Sequence, residues 1–349
     1  MFLLINTLSG LTTKPAGRMF HNCVLDKKTV WMLGGIQKPP GTNRTCLEDS
    51  SGEICEGMWK YDTQKNSWLH EEIGFPKRRG SSMVSNDNFI YVQGGGVANV
   101  ENPIYSVPFS DMWRYTKKNG MWMEIKTNNP DIYLHQSIIN ARGHIYSLGG
   151  FDSAGKSKFL YIFNGETWIK ENASPFMKNG IWGHSMTIVD DRYIYIIGGT
   201  CGNPTDKSSF NKDVWTYDTE TKKWNLECGG IPLYGHTSCQ VRRKLKIGDV
   251  LYSNDDIIIT GGYYPTKMVK NQEGAEHLGG TVDNIYGFNT RTRMWKYMGK
   301  LVRPREFHSA ILCDDKLFVF GGYHVGNFWE SGEVVFLGKN SSGDVLYHQ

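Results

Sequence analysis

Short apolar runs, each closed by a pair of glycines, recur along the chain and set its organisation. They read WMLGG, YVQGG, YSLGG, YIIGG, IITGG and FVFGG, and end at Gly34 and Gly35, Gly94 and Gly95, Gly149 and Gly150, Gly198 and Gly199, Gly261 and Gly262, and Gly321 and Gly322. Successive pairs lie 60, 55, 49, 63 and 60 residues apart, a spacing expected of repeated supersecondary units in a solenoid or propeller. Each unit opens with an aromatic, Arg or His cluster, as in Arg18-Met19-Phe20-His21, Ile181-Trp182-Gly183-His184 and Arg305-Glu306-Phe307-His308. A first strand follows, then a second strand of β-branched and aromatic residues that runs into the glycines. A loop of variable length leads to an aromatic third strand at 58–63, 112–117, 214–219 or 285–290. After a short turn comes a fourth strand centred on Trp68, Trp122, Trp168, Trp224 or Trp295. Short β-rich runs between turn residues predict an all-β fold, and no stretch has a convincing 3.6-residue apolar period.

A strand ending in two glycines can take φ > 0, or let a neighbouring backbone approach where a Cβ would clash. The Trp and the third-strand aromatic then fill the gap between neighbouring units, each burying about 150–250 Å². The order of glycine pair, aromatic-x-Tyr/Phe-Asp/Asn and downstream Trp resembles the kelch repeat, from about residue 18 to about residue 337. The resemblance implies a six-bladed β-propeller with four antiparallel strands per blade. It forms one domain over 1–349, with blades at about 18–74, 75–128, 129–175, 176–229, 230–300 and 301–349 plus a strand at 1–8. The last unit departs from the pattern, since EVVFLGKN (333–340) has no Trp after it. Kelch propellers close their ring by letting one chain end complete the blade begun by the other. MFLLINT (1–7) is expected to supply that outer strand, with the C-terminal DVLYHQ as its competitor.

Composition narrows the picture further. A hydrophobic fraction of 39% with 13% aromatics suits a packed β core, and a net charge of +4 is mild for 349 residues. KKNG (117–120) and RRKLK (242–246) read as solvated turns, so no nucleic-acid partner is expected. No apolar stretch reaches membrane-spanning length, and FLLI is short with no basic residue before it. Neither a membrane association nor a signal peptide is expected. Cys23, Cys239 and Cys313 hold corresponding first-strand positions and read as small buried thiols, in keeping with a monomer in the reducing cytoplasm. Cys46 and Cys55 share one loop and would pair only in an oxidising compartment. The sequons at Asn43, Asn172 and Asn340 are patterns short enough to arise by chance.

The second-to-third-strand loops are long: 36–57, 96–111, 151–158, 200–213, 263–283 and 323–332. They share one face with the blade crossovers, and long loops on a rigid scaffold are where recognition concentrates. Near the mouth of that face stand Arg18, Arg78, Arg79, Tyr133, Trp182, Tyr234 and Arg305, before the first strands, and Phe151, Tyr263 and Tyr323, after the glycine pairs. These residue types are enriched at interaction hot spots. An arginine ring is suited to gripping an acidic peptide segment bidentately. His21, His135, His184, His236 and His308, with Ser81 in the remaining unit, repeat at one place and read as hydrogen-bonding scaffold rather than as a metal site. No cofactor is expected.

No nucleophile–base constellation, phosphate-cradling loop or carboxylate pair stands out from the repeat. The expected function is a non-catalytic protein-interaction scaffold or adaptor. Many kelch proteins recruit ubiquitin ligases through BTB, BACK or F-box segments, for which this chain lacks room. A ubiquitin-ligase subunit acting in trans is therefore one partner class the resemblance implies. The rival it implies is a sugar-active propeller similar to sialic-acid epimerases. There Arg18, Arg78 and Arg305 would hold a substrate carboxylate, with a nearby His or Glu (Glu306, Glu276) as acid or base. The signatures of copper radical oxidases and of iron-dependent specifier propellers are not found.

Overall fold

The computed structural model describes residues 14–37, 52–98, 106–171, 175–202, 206–242, 245–247, 250–270, 276–324, 327–328, 333–339 and 345–348. Strands dominate, and the helical segments among the described residues are two single 3₁₀ turns, Pro175–Met177 and Lys207–Ser209. Six four-stranded antiparallel sheets follow one another, each with spatial order equal to chain order. Their first strands are Asn22–Asp26, Ser82–Ser85, Gln136–Ile139, Trp182–Val189, Thr237–Gln240 and Ser309–Cys313. These six lie side by side in cyclic order, and the last neighbours the first. The sheets are therefore propeller blades set around an axis lined by their first strands.

The blades are cemented at their seams, and each seam has its own apolar cluster. Trp122 packs in the cluster between blades one and two, and Trp168 between two and three. Trp224 packs between three and four, Trp295 between four and five, and Trp68 between six and one. Of the five, only Trp168 is fully buried; Trp68, Trp122, Trp224 and Trp295 are half-buried, so truncating Trp224 removes less buried surface than its place in the repeat suggests.

Among the described residues, the seam between blades five and six has no Trp. It holds Val241, Tyr252, Leu301 and Ala310 among its buried residues. Tyr252 belongs to the blade-five insertion, which forms a hairpin of Leu245–Ile247 with Val250–Tyr252. Leu245–Ile247 lies beside Glu333–Lys339, the third strand of blade six. The insertion thus brings a buried aromatic to the seam that lacks the repeat's own.

The expected closing strand at 1–8 lies outside the described residues. The outer place in blade six that it was expected to fill is held by Val345–His348, hydrogen-bonded to Glu333–Lys339. A local hairpin brings this strand in with a short loop to close. Cys46, Asn43, Asn172 and Asn340 also lie outside the described residues. Cys23 and Cys313 are buried free thiols and Cys239 is half-buried. Burial pushes Cys23 and Cys239 up to about 12. Cys55 is buried, with its Sγ 3.7 Å from Gln37 Oε1. Among the described residues, no helix is long and apolar enough to cross a membrane.

Candidate functional site

The mouth of the propeller on the long-loop face is built from stacked rings, each contributed once per blade. The first is the ring of glycine pairs. The second glycine of each pair donates its N–H to the next blade: Gly35 to Arg78 O, Gly95 to Ile132 O, Gly150 to Ile181 O, Gly199 to Leu233 O and Gly262 to Arg305 O, at 2.7–3.1 Å. Gly322 donates to Arg18 O at 2.8 Å and closes the circle. The first glycine has positive φ and rests on the same carbonyl. A Cβ at Gly94 would stand 2.2 Å from Ile132 O, and one at Gly321 2.4 Å from Arg18 O, so only glycine fits.

The arginines expected to ring a binding depression are turned inward. Arg18, Arg78 and Arg305 are buried, and Arg79 is 7% exposed. Each of the first three donates Nη1 to the carbonyl of its own blade's first glycine: Arg18 to Gly34 O at 3.1 Å, Arg78 to Gly94 O at 2.8 Å and Arg305 to Gly321 O at 2.5 Å. Arg78 is also clamped bidentately by Asp111 at 2.6 and 2.7 Å, and Arg79 Nε donates to Ser106 Oγ at 2.9 Å. A buried carbonyl at the glycine turn needs a donor. In blade four Asn211 Nδ2 meets the same need at Gly198 O, 3.0 Å away. These arginines are built into the scaffold and are not available to grip an acidic peptide or a substrate carboxylate.

Nearer the axis than the glycines runs a second ring, Phe20, Gly80, Leu134, Gly183, Gly235 and Phe307, all with φ between 53° and 67°. Gly80 N–H donates to Phe20 O, Leu134 to Gly80 O, Gly235 to Gly183 O and Phe307 to Gly235 O, at 2.7–2.9 Å, and Phe20 to Phe307 O at 3.4 Å. These backbone bonds hold Phe20, Leu134 and Phe307 in a left-handed conformation that non-glycine residues seldom adopt. Their side chains gather with Trp182 over the axis. Phe20 and Phe307 have ring centroids 4.5 Å apart, and Trp182 stacks on Phe307 at 6.0 Å.

The third ring comprises Met19, Arg79, Tyr133, Trp182, Tyr234 and Glu306. Each pairs, backbone to backbone, with the residue that follows its glycine pair: Ile36, Gly96, Phe151, Thr200, Tyr263 and Tyr323. In five blades the long loop rises from this bridge as a hairpin, such as Gly96–Ala98 with Ser106–Pro108 or Tyr263–Lys270 with Glu276–Thr281. Tyr133 and Tyr323 are buried, while Phe151, Trp182, Tyr234 and Tyr263 are half-buried and pack on one another. Tyr133, Phe151, Trp182, Tyr234 and Tyr263 thus form one layer rather than separate exposed anchors, and Tyr323 packs with Met19 and Ile36.

The five histidines are buried, and burial holds His21, His135 and His184 down at about 3 and His236 at about 4. His308 is kept well below its ordinary value for the same reason. Each ring stacks where the preceding blade's first glycine leaves room, as His184 does at Gly149 and His21 at Gly321. His236 Nε2 meets Ser185 Oγ and His308 Nε2 meets Thr260 Oγ1, both at 2.9 Å across a seam. Among the described residues, no three His, Cys, Asp or Glu side chains gather as a metal-ligand group.

Beneath the aromatic layer a cavity of about 820 Å³ follows the axis, lined by the first strands of all six blades. Its far rim, among the tight turns, carries Asp26 paired with Lys117 at 2.7 Å and Lys28 paired with Asp314. Arg18, Arg78, Arg305 and Glu306 do not line this cavity, so the arginine-lined central pocket of a sugar enzyme is not assembled from them. The residue whose isolation sequence reasoning missed is Glu306. It is 6% exposed, and its Oε2 has no hydrogen-bonding partner. Burial pushes its carboxyl up to about 8, against the pull of a hydrogen bond with Thr281.

Comparison with known proteins agrees with this architecture. A family model described as "Kelch motif" matches residues 186–226, from the second half of blade four's first strand into its fourth. Kelch domain-containing protein 10 of Xenopus tropicalis is 23% identical over 283 residues, covering 73% of this chain and 62% of the relative. Kelch domain-containing protein 1 of Mus musculus is 26% identical over 346 residues, covering 78% of this chain and 80% of the relative. The solved structure of YjhT superposes with a TM-score of 0.69 at 17% identity, over 96% of this chain and 99% of that one, a likeness of fold. The chain accordingly spans under two thirds of the Xenopus relative's length.

Proposed function

We propose that this chain, a kelch-repeat protein, is a non-catalytic interaction scaffold holding a protein partner on the face of the long second-to-third-strand loops and blade crossovers. The observation behind this reading is the third ring. Six positions share one backbone frame, yet their side chains are Met19, Arg79, Tyr133, Trp182, Tyr234 and Glu306, with no two neighbours alike. A rigid frame that varies only its side chains suits recognition of an asymmetric surface, and Trp and Tyr are efficient anchors there. A ubiquitin-ligase subunit in trans is one partner class in keeping with this role. The enzyme reading loses its support because the arginines it needs are committed to glycine carbonyls.

The test is affinity capture from native extract with three equally folded baits: the intact chain, a Trp182→Ala/Tyr263→Ala variant of the hairpin face, and a Lys27→Ala/Asp87→Ala variant of the tight-turn face. A partner held by the first and third and lost by the second is the expected result. Loss only from the tight-turn variant would overturn the choice of face, and no partner on any bait would overturn the scaffold reading.

A further inference from the structure

Five of the six third-ring positions carry an apolar, aromatic or arginine side chain, and blade six alone carries an acid, Glu306. Its backbone is fixed by reciprocal bonds with Tyr323, Glu306 N to Tyr323 O at 3.0 Å and Tyr323 N to Glu306 O at 2.9 Å. The titratable groups facing it are phenols: Tyr234 and Tyr263 of blade five, both within electrostatic reach, and its bridged partner Tyr323. The adjacent Arg305 turns its guanidinium to Gly321 O, on the glycine ring. The carboxyl thus has a hydrogen bond with Thr281 at one oxygen and none at Oε2, inside an aromatic setting.

A buried polar atom left without a partner costs free energy, and such groups mark places where a ligand completes the bonding. An ammonium group would donate to Oε2, offset the carboxylate charge and rest against tyrosine rings, which attract cations on their faces. A second acid or a phosphate would meet repulsion there, and a neutral apolar group would leave Oε2 unpaired.

We infer that Glu306, framed by Tyr234, Tyr263 and Tyr323, is the receptor for an alkylammonium group, such as a lysine side chain of the partner held on this face. The inference rests on the interaction reading above and reverses the charge expected from sequence, since the partner offers a cation and not an acid. Free of ligand near neutral pH, the carboxyl is mostly protonated, with its value near 8. Binding the cation releases that proton to the buffer, so affinity rises with pH by about tenfold per unit until the carboxyl is ionised on its own.

The probe is N-acetyl-lysine methylamide, titrated calorimetrically into the full chain at about pH 6 and about pH 8 in buffers of different ionisation enthalpy. Carbon NMR of the glutamate carboxyls follows Glu306 directly. Binding that is tighter at the higher pH, releases a proton at the lower one and disappears in Glu306→Gln is the expected result. Absence of binding while the Glu306 signal still titrates near 8, or equal binding by Glu306→Gln, would overturn the inference. Glu306→Gln removes no charge pair and its unfolding midpoint is the folding control; should it fail to fold, Tyr263→Leu replaces it, with weaker probe binding expected and unchanged binding contradictory. The two readings fail separately. A partner captured equally by wild type and Glu306→Gln sinks the ammonium receptor and leaves the scaffold standing; no captured partner sinks the scaffold whatever the probe does.

Discussion

At the glycine pairs every blade carries the same two residues, and each second glycine donates to the next blade at 2.7–3.1 Å. One bridge away, at Met19, Arg79, Tyr133, Trp182, Tyr234 and Glu306, no two neighbouring blades agree. Both rings are ordered by backbone hydrogen bonds, so order alone does not explain the difference. The glycine ring sits where a Cβ would strike a carbonyl of the adjacent blade. The third ring pairs through backbone N–H and C=O groups only, which places no demand on the side chain. Closing the circle fixes residue type in the first case, and the second is left free to carry recognition.

The largest effect that sharpens this contrast is expected at the glycines. Gly94→Ala or Gly321→Ala combines a left-handed φ with a clash against a neighbouring carbonyl, at a cost of about 2–6 kcal/mol. Chemical denaturation measures it, and a loss below about 0.5 kcal/mol would show that the ring gives way easily. Next comes Trp168→Ala. This indole is buried between blades two and three, and its removal is expected to cost about 3–5 kcal/mol. The half-buried Trp224 should cost visibly less in the same assay.

Acid should weaken the glycine ring through the histidines stacked on it. His21, His135 and His184 stand at about 3 folded against 6.5 unfolded. Below 6.5 the unfolded chain therefore takes up protons that the folded chain refuses. The stability is fully present above about 6.5 and is lost as pH falls toward 3, by up to about 1.4 kcal/mol per unit for each histidine. Urea midpoints at pH 7 and pH 5 check this, and a flat profile would mean the imidazoles protonate within the fold. The smallest effect belongs to the third ring and its bridged partners. Met19→Leu and Tyr263→Phe each keep the bridge and are expected to change stability by less than about 1.5 kcal/mol.

Much of this was legible in the sequence because the repeat states it six times. The glycine pairs and the Trp positions mark strand ends and seams, and the third strand read at 58–63 is Met58–Asp62 in the fold. The arginines were misread because residue type says nothing about which way a side chain turns. One signal was present: Arg18, Arg78 and Arg305 each stand 16 residues before the first glycine whose carbonyl they satisfy. A constant offset of that kind belongs to scaffold. Tyr252 could not be placed, since the seam it fills lies between its own blade and the next. The choice between chain ends for the outer strand of blade six was equally hidden, because both offer a short apolar run and only pairing geometry separates them. Glu306 was visible as a residue, but its lack of a partner is a property of the packed aromatic layer.

The most direct test of the division between the rings compares Gly321→Ala with Trp182→Ala/Tyr263→Ala, measuring unfolding free energy and partner retention on the same preparations. The glycine variant is expected to lose several times more stability, while the Trp182→Ala/Tyr263→Ala variant stays folded and releases the partner. A double variant as destabilised as the glycine one, or one that keeps its partner at full occupancy, would contradict that division.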